Sequence, residues 1–130
     1  MKYAYPAIFT KEEAGISIRF PDIDGCFSSA ETLAEGIEMA SDALCLMLYD
    51  MEEGGETIPP ASEVTDIQLG ENEIVTLIGC DTVEYRKFYD NRAIKKTLTI
   101  PAWLNTMAER AGVNFSMILQ AALKRELDIQ

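Results

Sequence analysis

Lys95, Thr97 and Thr99 stand two residues apart in the run K-K-T-L-T-I-P, and their types suit the reading of a base sequence. A lysine ammonium donates to guanine O6 or N7, and a threonine offers its hydroxyl to a base or packs its methyl group on thymine. The plain alternative is the solvated face of a strand. Groups that suit phosphate surround this triplet. Arg92 stands just ahead of it, and Lys96 can pack its stem inward and snorkel its ammonium out. Further on, Asn114, Phe115 and Ser116 open a predicted helix, where free N–H groups and the helix dipole make an anion site. Asn114 as a simple N-cap is compatible with that use. Arg110, Lys124 and Arg125 are ordinary helix-surface charges.

Asp22 and Asp24 share the turn P-D-I-D-G, and two close carboxylates can serve metal-assisted hydrolysis. No other acidic residue has the spacing to complete a two-metal set, and turn aspartates are far commoner. The chain has no histidine, which removes the usual general base and the usual serine or cysteine triad. Cys26 lies in an apolar context without a visible base. Cys26, Cys45 and Cys80 are an odd number without C-x-x-C spacing, so reduced structural thiols are expected. No catalytic residue, metal or cofactor is expected.

The elements that position these groups follow from hydrophobic spacing. From 94 to 100, Ile94, Leu98 and Ile100 fall on one side and Lys95, Thr97 and Thr99 on the other, which predicts a strand. Pro101 stops it and suits a helix start. Leu104, Met107, Ala108 and Ala111 recur at helical spacing, and Gly112 is a natural left-handed C-cap. After Asn114, residues Phe115, Ile118, Leu119, Ala122, Leu123 and Leu127 form one apolar stripe. Trp103 suits packing. Such a short segment cannot bury a core alone, and its strand needs a partner. The cheapest partner is the same strand of a second copy. Ile94, Leu98, Ile100, Leu104, Ile118, Leu119 and Leu123 then form the core of a homodimer.

Ahead of this segment, Tyr3, Tyr5, Ala7 and Phe9 alternate as a strand, with Pro6 arguing that it lies at an edge or begins after a kink. Ile16, Ile18 and Phe20 give a second strand, and Cys26-Phe27 a short third. Ser28 and Glu31 fit a capping box. Leu33, Ile37, Ala40, Leu44, Met47, Leu48 and Met51 then step as the clearest helix in the chain. Gly54-Gly55 ends it, and Pro59-Pro60 lies in a surface loop. Residues 73–81 predict a further strand packed on both faces. The expected fold class is α+β: a β-β-β-α-β domain over 1–82, a linker over 83–91, and a strand-helix-helix module over 92–130.

The net charge is −11, but it is unevenly spread. Residues 1–91 carry a net −14 and residues 92–130 a net +3. A basic tail suits phosphates, and an acidic body suits a basic protein. Glu31, Glu35, Glu38 and Asp42, on the solvent side of the long helix, are the candidate partner face, together with Asp22 and Asp24 in the turn before it. Acidic helix faces are more often simply solvated. No apolar run is long enough to span a membrane. The N-terminus lacks a signal peptide's basic start and apolar stretch, so the expected location is the cytoplasm.

Two resemblances meet here. The run K-T-L-T-I-P and the turn G-V-N-F-S resemble a ribbon-helix-helix DNA-binding domain, over essentially all of 92–130. The run Y-P-A-I-F, followed by G-I-S-I-R-F-P-D-I-D-G-C-F-S and a long helix, is similar to the HicB antitoxin family. Together they cover nearly the whole chain. Ser28-Ser29-Ala30 departs from a commoner Thr-x-Gly, and Glu35-Gly36 stands where Glu-Ala is more usual.

The resemblance implies an antitoxin of a type II toxin–antitoxin module, with an N-terminal domain like a trimmed ribonuclease H fold. That domain would bind a small basic HicA toxin, which cleaves mRNA with a histidine, and cover its active surface. The C-terminal module would bind operator double-stranded DNA and repress its own promoter. Lys95, Thr97 and Thr99 would enter the major groove, and Arg92, Lys96, Asn114, Phe115 and Ser116 would meet phosphates. The assembly is a homodimer, with a tetramer open. The competing expectation is a stand-alone regulator whose first domain senses a small ligand. A nuclease built on Asp22 is a third.

Overall fold

The computed structural model describes residues 1–129. Among these residues the fold is mixed α+β, with one four-stranded antiparallel sheet and four α-helices. In chain order these are β1 (Lys2–Glu12), β2 (Gly15–Arg19), β3 (Phe27–Ala30), α1 (Leu33–Glu53), β4 (Glu73–Asp81), α2 (Thr82–Tyr89), α3 (Ala102–Ala111) and α4 (Phe115–Glu126). A 3-10 turn, Val64–Asp66, precedes β4. The chain divides into two compact units, the first spanning Met1–Arg92 and the second beginning at Ala93.

In the first unit the sheet order is β3-β2-β1-β4. Tyr5, Ala7 and Phe9 of β1, Ile18 of β2, and Ile78 and Cys80 of β4 pack in one core with Ala40, Leu44 and Leu48 of α1. Phe20, Ile23 and Cys26, from the connection after β2, belong to the same core. Alternation along β1 sends Pro6 and Ile8 to the opposite face, where they too are buried. Gly36 lets α1 approach the sheet closely. A Cβ there would meet the Phe9 ring at 3.2 Å and Ile18 Cδ1 at 3.4 Å. Gly15, at φ +138°, closes the β1–β2 turn where a Cβ would lie 2.6 Å from the Ala30 carbonyl oxygen.

The structure corrects several expectations. Pro6 does not mark an edge, because β1 lies between β2 and β4. The β1–β2 register stops at Ile8 and Arg19, so β2 has ended before it reaches Pro6. Toward β4, the bonds Thr82 N–H to Met1 O and Lys11 N–H to Asn72 O set the pattern. Odd residues of β1 carry that ladder, and Pro6 is even. The missing N–H therefore costs nothing.

The helix begins four residues later than Ser28 suggests. Phe27–Ala30 is committed to pairing with β2, so Ser28 is a strand residue. Thr32 is the N-cap, and its side chain accepts from Glu35 N–H at 3.2 Å. Thr32-x-x-Glu35 matches the same box pattern as Ser28-x-x-Glu31. β4 is not packed on both faces: Ile78 and Cys80 are buried, whereas Leu77 and Gly79 are exposed. Leu33 and Ile37 of α1 are about half exposed, although their spacing puts them in the core stripe. Most of 83–91 is helical. Asp81 caps α2 by accepting from Val83 N–H at 3.0 Å, and the Tyr85 ring packs tilted at 50° against Tyr49 of α1, with centroids 5.3 Å apart.

Candidate functional site

Arg92 closes the first unit, and the other candidate DNA-contacting residues lie in the second. Residues 90–101, with Arg92, Lys95, Lys96, Thr97 and Thr99, lie outside regular secondary structure and are exposed. The expected strand is absent within the single chain, since a strand is defined by its pairing and one copy supplies only one. The helices that follow are as expected. Gly112 ends α3 in the left-handed conformation at φ +68°, and its N–H bonds to Glu109 O at 3.0 Å. Asn114 caps α4, its side-chain oxygen accepting from Met117 N–H at 3.1 Å. Phe115 and Ser116 form the first turn, with no acidic residue among them.

The apolar residues of this unit are uncovered in one chain. No residue of α3 or α4 is buried. Ile94 is 78% exposed, Leu98 58% and Ile100 43%. Leu104, Ile118 and Leu123 are similarly exposed, and Leu119 is half-buried.

In the first unit the acidic candidates separate. The Asp22 carboxylate accepts from Ser62 N–H at 2.9 Å and from the Ser62 hydroxyl at 2.5 Å. It therefore ties the loop after α1 to the turn after β2. Asp24 is exposed beside Gly25, which has φ +77°. Among the described residues no group of three or more acidic or cysteine side chains is placed to hold a metal. The cysteines are free, and burial pushes the Cys26 thiol up to about 11, away from nucleophilic use. Glu31, Glu35, Glu38 and Asp42 are all exposed. The last three share the outward side of α1 with Met39 and Leu46, which are exposed apolar residues that a search for acidic patterning passes over.

Two carboxylates act as structural hubs. Glu73 accepts from Arg19 Nη1 at 2.8 Å, Gly70 N–H at 2.7 Å and the Thr10 hydroxyl at 3.2 Å. The Arg19 bond, followed by the Gly70 N–H, brings its carboxyl down to about 2. Glu52 accepts from Tyr3 at 2.8 Å, Thr82 at 3.0 Å and Arg86 at 3.1 Å. Burial pushes Glu52 up, but the three donors outweigh it and hold the carboxyl below its ordinary range. Arg86 also pairs with Glu53 and lies 4.7 Å from the centroid of the Tyr49 ring. Of the few cations in this unit, Arg19, Arg86 and Lys87 are therefore already engaged by its own carboxylates.

A groove of about 590 Å³ opens at the start of α1. Its apolar lining is Phe9, Ile16, Leu33 and Ile74, and Glu12, Glu13 and Glu31 outnumber Lys11 among the charged groups there, with Glu73 engaged by Arg19. Type and periodicity place Leu33 and Ile74 inside, so sequence patterning does not mark them as surface groups.

Comparison with known proteins sets this geometry in context. Residues 5–122 match a family described as the HicB_like antitoxin of bacterial toxin–antitoxin systems. The chain is 29% identical over 103 residues to an "Uncharacterized 14.9 kDa protein in rep-hol intergenic region" of Haemophilus phage HP1, covering 77% of this chain and 74% of that one. It is similar to a chain of a toxin–antitoxin complex from Streptococcus pneumoniae, with TM-score 0.64 and 26% identity over 97% of this chain and 99% of that chain. It is also similar to a chain of a HicA3 and HicB3 toxin–antitoxin complex, with TM-score 0.51 and 28% identity, covering 61% of this chain and 99% of that one.

Proposed function

The chain belongs to the HicB_like antitoxin family of bacterial toxin–antitoxin systems, and from that membership we propose how its two units divide the work. The acidic first unit neutralises a small basic HicA-type toxin that cleaves mRNA. Its sheet order, with α1 on one face, supports a trimmed ribonuclease-H-like arrangement. The second unit is a ribbon-helix-helix module that binds operator DNA and represses the chain's own operon in the cytoplasm. The functional boundary falls in 83–91, between a toxin-binding part over 1–82 and a DNA-binding part over 92–130.

The observation that carries the DNA-binding reading is the uncovered apolar set of the second unit. Pairing two copies of 94–100 antiparallel turns Ile94, Leu98 and Ile100 inward against Leu104, Ile118, Leu119 and Leu123 of both chains. The same pairing turns Lys95, Thr97 and Thr99 outward, six side chains on one ribbon, of a size that fits the major groove. Arg92, Lys96 and the N-terminal turn of α4 at Asn114, Phe115 and Ser116 then flank the groove and meet phosphates. Two such dimers on two half-sites give a tetramer.

A titration of the full chain on DNA from upstream of its own gene, at several salt concentrations, tests this. Binding should weaken linearly in log salt, and the Lys95→Ala/Thr97→Ala variant should lose sequence preference while keeping salt-dependent affinity. Absence of binding at low salt, at concentrations where the chain is dimeric, sinks the DNA-binding reading.

A further inference from the structure

We infer that the outer edge of β4 is a strand-addition site for an extended segment of a basic partner protein, anchored by apolar side chains in the groove beside Leu33 and Ile74. The inference rests on the antitoxin reading for the partner's identity, but the edge itself is a property of the fold. β4 is the last strand of the sheet, nine residues long and, among the described residues, paired with no strand but β1. The ladder bonds place the backbone groups of Ile74, Thr76, Ile78 and Cys80 toward β1. Those of Val75, Leu77 and Gly79 therefore point away from the sheet. Ser41 of α1 donates to the Gly79 carbonyl at 3.1 Å and closes the far end. Among the described residues no hydrogen bond covers Val75 and Leu77.

This edge lacks the usual protections. Between its terminal Glu73 and Asp81 it reads I-V-T-L-I-G-C, with no proline, lysine or bulge. It presents a large apolar side chain on each face of the sheet, Ile74 at 51% exposure and Leu77 at 57%. The opposite edge, β3, is only four residues long. Added strands gain affinity from main-chain bonds and specificity from alternating side-chain pockets. The groove at Leu33 and Ile74 is such a pocket at the start of β4.

Charge selects the occupant. A second copy pairing antiparallel through Leu77 would set the Arg19-bound Glu73 opposite Asp81 twice, which gains no opposite-charge pair. It would also bring two strongly acidic units together. Lys11 lines the groove and Lys2 stands opposite Asp81, but Glu12, Glu13 and Glu31 at the groove and Glu38 one turn ahead of Ser41 on α1 leave the flanks of the edge acidic. The fitting partner is thus a strand with an apolar residue between lysines or arginines.

The test follows single amides of the full chain by hydrogen exchange, alone and with the adjacent-gene HicA-type toxin, its catalytic histidine replaced by alanine. In the free chain, Ile74, Thr76 and Ile78 should be protected and Val75 and Leu77 should exchange fast. Toxin should slow Val75 and Leu77 by roughly tenfold or more. Val75→Pro removes only an outward N–H, and Leu77→Lys keeps the backbone while repelling a basic strand. Both should retain the wild-type fold by circular dichroism and weaken toxin binding by roughly tenfold or more. Toxin bound tightly by wild type and both variants, with Val75 and Leu77 still exchanging fast, overturns the edge site and leaves the antitoxin reading standing. Protection of Val75 and Leu77 in the free chain that grows with its concentration makes a second copy the occupant and also overturns it. No toxin binding by wild type overturns the antitoxin reading together with the inference.

Discussion

Arg19 of β2 and Glu73 of β4 meet at 2.8 Å across the intervening strand β1. Their bond crosses the face of three adjacent strands and fixes the start of β4, the strand whose outer edge is open. Thr10 of β1 joins the same carboxylate, so all three strands share one acceptor.

This relationship makes acid stability depend on Glu73. Its folded carboxyl is lowered from the ordinary 4.5 to about 2, chiefly by Arg19. The stabilisation is fully present above the unfolded value and is lost as pH falls from about 4.5 through about 2. Glu73→Gln should lower the thermal midpoint at pH 7 and flatten its decline over that window. A variant whose decline matches wild type would remove Glu73 from the account.

Tyr3 and Glu52 predict the opposite limb. Burial, then the bond to Glu52, raises the Tyr3 phenol from 10.0 to about 12. The neutral phenol is favoured in the folded chain, so this stability is complete below pH 10 and is lost as pH rises through about 12. Tyr3→Phe should cost about 1 kcal/mol at neutral pH in a denaturant titration, the usual worth of one hydrogen bond. The phenolate absorbance of wild type should carry a late-titrating tyrosine that the variant lacks.

Position on α1 decides the cost of truncation. Leu44 is fully buried, whereas Ile37, seven residues earlier on the same apolar stripe, is 47% exposed. Leu44→Ala should destabilise by ~2–5 kcal/mol. Ile37→Ala should cost under ~1 kcal/mol, because half its surface already meets water. Equal costs in urea unfolding would mean that Ile37 is covered in solution.

Self-association should run through the second unit. Leu98 is 58% exposed in one chain and is assigned to the dimer core. Leu98→Glu should sediment as a monomer at concentrations where the wild type is a dimer, and should lose operator binding with it. A Leu98→Glu chain that remains dimeric would move the interface elsewhere.

Local patterning determined much of this protein from sequence alone. The periodicity of two along Tyr3–Phe9, and of three to four along Leu33–Met51, depends only on neighbours in the chain. So do the caps at Gly112 and Asn114 and the charge split between the units. These elements and caps formed as read. Pairing order is different, because it is settled between distant segments. Only the folded sheet set β1 in the middle, where the β2 register ends short of Pro6. Only the demand of β3 for Ser28 moved the helix cap to Thr32, since two identical cap patterns stand four residues apart. Tertiary contacts gave Asp22 to Ser62 and turned half of Leu33 and Ile37 to solvent. They also left the outward backbone of Val75 and Leu77 open, because an edge exists only once every other strand has found its neighbour.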